Sequence, residues 1–169
     1  MRVLKTGKFI RLVSRGGWEF VERTGVGGVV GIVATTDVGE LILVEQHREP
    51  LGCRVIELPA GLVGDDGDAA ETSAKAGKRE LEEETGYRAG RVSTLVKGGA
   101  VSAGLTSETV DLVRAKDVRP VGEGGGIEGE DIQVHVVPLA DVPAFLKRKQ
   151  KAGRRVDFKV YAALWFCSE

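Results

Sequence analysis

Two cysteines, Cys53 and Cys167, are all that the chain carries, and neither stands in a paired motif. Both therefore read as free thiols of a reducing compartment. Charge of one sign is also missing. The formal net charge is -1 over 169 residues, so no global field recruits nucleic acid or an anionic membrane. An anionic substrate would have to be held by local cations or by a metal. The apolar runs are too short to span a bilayer, and Met1 to Ile10 has no apolar signal core. The chain is read as cytoplasmic. Glycine is plentiful, at 24 residues, yet no GxGxxG or GxxxxGK[ST] sequence occurs. That argues against a dinucleotide-binding or P-loop protein.

What is present is an ordinary balance of apolar and charged residues in a length that suits one domain. Beta-like segments come first. Phe9 to Val13 and Trp18 to Arg23 flank Arg15-Gly16-Gly17 as a hairpin. Gly28 to Thr35 is nearly all apolar, like a strand buried on both faces. Leu41 to Gln46 follows a turn, and Arg54 to Leu58 is stopped by Pro59. One strong helical signal spans about Ala69 to Thr85. Asp68 is placed as its N-cap, with Glu71 completing a near capping box, and Gly86 is its stop. Ala70, Ala74, Gly77 and Leu81 make a face small enough to lie close on a sheet. Strands are expected again at Arg91 to Val96, Thr109 to Arg114 and Ile132 to Pro138, with an exposed loop at Gly122 to Glu130. Helices at about Asp141 to Ala152 and Asp157 to Phe166 close the chain. The order fits a mixed sheet flanked by helices.

The densest feature is Arg79-Glu80-Leu81-Glu82-Glu83-Glu84-Thr85-Gly86-Tyr87. On a helix Glu80 and Glu84 lie about 40° apart, with Glu83 about 60° to the other side of Glu80. Glu82 points away, toward solvent. Like charges so spaced destabilise a bare helix by a few tenths of a kcal/mol, roughly. A hard divalent cation with oxygen ligands removes that cost. Magnesium also shares its shell with phosphates, which suits diphosphate chemistry. An acidic run of this kind is also common on solvated helix faces, so its neighbours matter.

Those neighbours are Glu71, eight residues before Arg79, and Glu57-Leu58-Pro59-Ala60-Gly61. Together they resemble the Nudix box. The chain departs from it in one place. Nine residues, Leu62 to Ala70, separate Gly61 from Glu71, about four more than the box carries, so the entry loop is longer. Trp18 to Arg23, Val44 to Arg48, Ser102 to Glu108 and Gly129 to Val137 resemble the ADP-ribose and nucleoside-diphosphate-sugar pyrophosphatase branch. Ala103 stands where the ADP-ribose enzymes carry a proline, which leaves other nucleotide sugars open.

The resemblance implies a fold, a site and partners. The fold is α/β: a Nudix α/β/α sandwich around a mixed β-sheet. Residues 1–26 would form an N-terminal β-hairpin extension and residues 27–169 the hydrolase domain. The metal ligands would be Glu80, Glu84 and the Ala60 carbonyl, with Glu83 on a metal-bound water or a second ion. The metal would be Mg2+, with Mn2+ also acceptable. Arg79 would orient a carboxylate. The general base would come from the late loop, Glu128 ahead of Glu130, with Asp131 behind both. The triple glycine Gly124 to Gly126 would let that loop close. Arg48 would grip the diphosphate; Trp18 and Phe20 could stack on a base or fill a core. Glu57, Ala103 and Gly104 would also contact substrate. His47 and His135 read as structural. A homodimer through the N-terminal segment is expected. The reaction would give a nucleoside monophosphate and a sugar phosphate. Other nucleoside diphosphate derivatives, or a non-catalytic sensing role, are the alternatives.

Overall fold

The structure, a computed structural model, describes every residue except Val26, Asp66, Ala69, Glu128 and Glu169. The N-terminal extension is more than a hairpin. Strands β1 (Arg2–Thr6), β2 (Ile10–Arg15) and β3 (Trp18–Arg23) form a three-stranded antiparallel sheet of their own. A two-stranded ribbon has too little surface to stand alone, and β1 supplies the third strand.

Strands β4 (Gly28–Thr36) and β5 (Glu40–Arg48) follow as a hairpin whose arms diverge. They pair only at Thr35 and Leu41. From that corner the main sheet splits into two halves. On one side β4 lies between β7 (Ala60–Val63) and β9 (Thr109–Pro120), with β8 (Tyr87–Ala100) outermost. On the other, β5 lies between β6 (Cys53–Glu57) and β10 (Gln133–Pro138). The short β11 (Arg155–Val156) runs parallel to β6.

Apolar alternation sends β4 into two cores. Val30, Ile32 and Ala34 join Ala76 and Leu81 of helix α1 (Ser73–Thr85). Val33 joins Phe145 and Leu146 of α2 (Val142–Lys151) and Val160 and Ala163 of α3 (Phe158–Ser168). Helices thus cover both faces, giving the expected α/β/α sandwich. Leu81 is fully buried, worth about 2 kcal/mol. A side chain at Gly77 would press on Val113 at 3.0 Å, so the small face does bring α1 close to the sheet.

Helix α1 starts later than its sequence suggested. Thr72 is the N-cap, and its hydroxyl accepts from the Lys75 amide at 3.3 Å. Ala70 therefore lies outside the helix, and neither Asp68 nor Glu71 caps it. The Glu71 carboxylate is drawn elsewhere, by the Gly64 amide at 2.8 Å and by Arg79. Gly86 ends the helix as expected, in the left-handed conformation at φ 71°. The chain then enters β8 at once, so that strand begins well before Arg91.

Candidate active site

The connection from β6 to β7 brings Ala60 and Gly61 against the carboxylates of α1. Contact is so close that a Cβ at Gly61 would stand 1.8 Å from the Glu80 carboxyl carbon. A side chain there would have to displace the Glu80 carboxyl group. The Ala60 amide donates to Glu84 at 3.0 Å. Glu84 is 6 % exposed. Burial pushes its carboxyl up; the Ala60 hydrogen bond opposes this, but the charges of Glu80 and Glu130 add to the rise, to about 8. Glu80 is raised too, first by burial, although Arg79 pulls the other way.

Arg79 is the hub of this cluster. Its guanidinium donates to Glu71 at 3.2 and 3.3 Å, to Glu80 at 2.8 Å, to Glu83 at 3.1 Å and to the Leu62 carbonyl at 3.0 Å. The hydrogen bonds to Glu71 come first in holding its proton more tightly than a free arginine does. Thus Arg79 staples the long entry loop, through Glu71 and Leu62, to the acidic face of the helix. Glu82 does turn away, onto Arg88.

Glu80 and Glu84 line a cleft of about 320 Å³ with Ala60, Gly61, Arg48 and Glu130. Glu130 stands on the loop opposite the helix. Glu128, which the resemblance puts ahead of Glu130 as the base, lies outside the described residues. Of the loop glycines, Gly124 and Gly126 are packing positions. The Gly125 and Gly126 amides donate to the Glu84 and Glu83 carbonyls at 2.8 and 3.0 Å. A Cβ at Gly124 would collide with Thr85 backbone at 2.2 Å. The loop is therefore tied to the end of α1.

Among the described residues, no three carboxylates, imidazoles or thiolates converge as a ready-made metal cage. Glu80 and Glu83 share the Arg79 guanidinium. Even so, the donor set suits a hard divalent cation. It is all oxygen, the Glu80 and Glu84 carboxyls beside the backbone of Ala60 and Gly61, and a cation there would favour the ionised form that burial opposes in Glu84.

The structure sorts the expected substrate contacts into two places. Arg48 lines the cleft but is engaged by Glu57 in a bidentate pair, both bonds 2.7 Å. Glu57 thus orients Arg48. Trp18, Phe20, Ala103 and Gly104 do come together, in a pocket of about 240 Å³ with Arg15, Thr106 and Ser107. That pocket is not the acidic cleft. By strand alternation Trp18 and Phe20 lie on the opposite face of β3 from Arg23, and it is Arg23 that lines the cleft. Arg23, Gln46 and Asp65 are cleft residues that the motifs did not single out. Only the period-2 pattern of Trp18 to Arg23 hinted at Arg23, by putting it on the face away from Trp18. His135 is structural, held by a buried Glu45, and His47 sits 3.5 Å from Glu49.

Comparison with known proteins adds to this geometry. The NUDIX domain model matches residues 26–162. An ADP-ribose pyrophosphatase of Bacillus subtilis is 34 % identical over 134 residues, 79 % of this chain and 70 % of the relative. The mouse ADP-sugar pyrophosphatase is 37 % identical over 133 residues, 72 % of this chain and 56 % of the relative. A methanol dehydrogenase activator of Bacillus methanolicus is 32 % identical over 124 residues, 73 % and 64 % respectively. The chain thus spans between about half and seven-tenths of these relatives' lengths. Among solved structures, an ADP compounds hydrolase superposes with a TM-score of 0.62 at 23 % identity, over 85 % of this chain and 80 % of that one. It supports the fold.

Proposed function

Because this chain belongs to the Nudix hydrolase family, we propose that it cleaves the diphosphate bond of a nucleoside diphosphate sugar, ADP-ribose being the first candidate. The single observation that carries the reading is the buried Glu84 beside the half-buried Glu80, set against Ala60 and Gly61, with Glu130 lining the same cleft. The named activities of the Bacillus subtilis and mouse relatives support the substrate class.

Glu80, Glu84 and the Ala60 backbone would hold Mg2+, or Mn2+ in its place, with Glu83 as a further ligand. The metal supplies charge neutralisation on the diphosphate and acidifies water. The protein's own groups do the rest. Arg48, held in plane by Glu57, offers its remaining N–H groups to phosphate oxygens. Glu130 or Glu128 accepts a proton from the attacking water. The oxygen of that water bonds to one phosphorus, the P–O–P bond breaks, and the other phosphate leaves with the shared oxygen. The products are a nucleoside monophosphate and a sugar phosphate.

A product assay with magnesium over ADP-ribose, ADP-glucose, UDP-glucose, GDP-mannose, a dinucleoside polyphosphate and nucleoside triphosphates tests this. Release of a nucleoside monophosphate from one or more sugar nucleotides is expected. Cleavage confined to the polyphosphates, or no cleavage of any, would overturn the reading.

A homodimer belongs to the same reading, as does a cytoplasmic location. The N-terminal sheet exposes Val3, Phe9, Ile10 and Trp18, which are 48, 65, 48 and 65 % accessible. Apolar area of that kind on a three-stranded sheet calls for a partner. The Trp18–Phe20 pocket, turned away from its own cleft, is then free to meet a nucleobase at the junction of two copies. Sedimentation at micromolar concentration should show a dimer; a monomer alone would remove this part of the proposal.

A further inference from the structure

Glu130 reaches the cleft from a loop that is held at two points. One is the helix end, through Gly125 and Gly126, as described above. The other is the residue that follows Glu130. Arg54 of β6 donates to the Asp131 carboxylate at 2.6 Å and to its carbonyl at 3.4 Å. The same guanidinium donates to the Glu45 carboxylate at 3.2 Å and to the Glu45 carbonyl at 3.0 Å. Glu45 is completely buried. It also accepts from Lys149 at 2.6 Å and Arg154 at 3.0 Å, and lies 3.0 Å from His135. Arg54 is therefore not a surface side chain that happens to meet an aspartate. Its base is fixed by a buried carboxylate, and its tip bonds both the side chain and the backbone of Asp131.

A carboxylate that must take a proton from an attacking water has to stand at a defined distance from it. The end of α1 fixes the first part of the loop, through the amides of Val121, Gly122, Gly125 and Gly126, but Ile127, Gly129 and Glu130 beyond it are exposed. Among the described residues, Glu130 makes only local bonds, from its own amide to the Ile127 carbonyl and from the Ile127 amide to its carboxylate. We propose that Arg54, fixed by Glu45, is a positioning residue for the reaction: through Asp131 it sets where the loop carboxylate stands over the Glu80–Glu84 pair. The idea rests on the hydrolase reading above and on a loop carboxylate acting in it. Arg54 touches neither the cleft nor any reacting atom.

Asp131→Ala is the decisive variant, because Asp131 is 81 % exposed in its side chain and its loss should barely move stability. With ADP-ribose and magnesium, kcat should fall about ten-fold with KM changed less than about two-fold, as for removal of other outer supporting partners. The melting temperature should stay within about 4 °C. Amide exchange of residues 125–131 should quicken while that of α1 does not. Arg54→Lys keeps the charge beside Glu45 but lacks the fork, and should lower kcat to a similar degree. The double variant should be no worse than either single one, since both act through one contact. Wild-type kcat in Asp131→Ala would overturn the proposal. So would a fall in kcat with loop exchange unchanged, or losses that multiply in the double variant, because Asp131 would then act on the reaction itself. If Glu128→Gln and Glu130→Gln each keep full kcat, the loop-carboxylate reading fails instead, and the proposal with it.

Discussion

Replacing Glu84 by glutamine should lower turnover by about three orders of magnitude, equivalent to about 4 kcal/mol of barrier, and leave the fold intact. The two halves of this expectation have one cause. Glu84 is buried beside Glu80 with Glu130 nearby, and among the described residues the Ala60 amide is its one close donor. In the metal-free protein that charge is a burden, because burial and its like-charged neighbours both oppose ionisation. A glutamine carbonyl can still accept from Ala60, while the uncompensated charge is gone. Thermal unfolding without metal should therefore give a melting temperature equal to or above that of the parent. Activity should collapse, because a neutral amide is a poor ligand for a hard cation and cannot balance the charge it brings. Measured side by side, kcat and melting temperature should move in opposite directions or only the first should move. Near-normal kcat would contradict the ligand assignment. A large loss of stability would contradict the view that Glu84 is kept for chemistry.

The largest effect on stability should come from Glu45, whose position is the reverse. It is as deeply buried as any residue of the core, yet Lys149, Arg154, Arg54 and His135 surround it. Burial alone would push its carboxyl up. The hydrogen bonds from Lys149, Arg154 and His135 outweigh that and hold it at about 2. Glu45→Gln leaves three cationic side chains without their buried counter-charge. The cost should be about 3 to 5 kcal/mol, a drop in melting temperature of about 10 °C. The same group sets an acid limit. Its folded pKa lies below the unfolded value of 4.5, so its contribution is fully present above pH 4.5 and is lost as pH falls toward 2. Integrated over that window it amounts to about 3 kcal/mol. Chemical denaturation from pH 6 down to pH 2 should show this loss in the parent and a flatter profile in Glu45→Gln. Equal slopes in the two proteins would mean that other carboxylates govern the acid limit. In that case the pairing around Glu45 contributes little.

How much of this was legible beforehand depended on sequence distance. The α1 cluster was readable because Arg79, Glu80, Glu83 and Glu84 are neighbours on one helix, and helical spacing alone brings them together. Gly86 was readable as a stop because a left-handed residue is needed where the chain leaves the helix for β8. The start of α1 was misjudged for a reason that lies outside local propensity. Glu71 carries the composition of a capping box, but its carboxylate bonds Arg79 and the Gly64 amide, and Thr72 caps the helix instead. Strand β1 was missed because Arg2 to Thr6 is short and mostly polar, and it pairs only once β2 is in place.

Contacts across the sheet could not be read at all. Arg48 was recognisable as a phosphate-binding type of residue, but its bidentate partner Glu57 is set by the β5–β6 register. Glu45 sat unremarked inside the stretch Val44 to Arg48. Its partners lie as much as 109 residues away, and only the return of the chain past α2 brings them to it. The same holds for Arg23. Alternation along β3 puts it opposite Trp18, but only docking of the N-terminal sheet shows which face meets the cleft.

By itself, then, the sequence determined the family and its α/β/α layers. It also determined the acidic helix face, because that face depends on residues close together in the chain; Ala60 and Gly61 instead open strand β7, paired with β4. Tertiary structure alone decided that the aromatic pocket and the acidic cleft are separate, that Arg48 is held by Glu57, and that a buried Glu45 reaches through Arg54 to the loop that carries Glu130. Some of these pairings join neighbouring strands, Arg48 with Glu57 and Glu45 with Arg54 at nine residues' separation, and others join distant segments, Arg54 with Asp131 at 77. Such pairings are selected by sheet register and by the high cost of burying an unpartnered charge, and no local pattern records either.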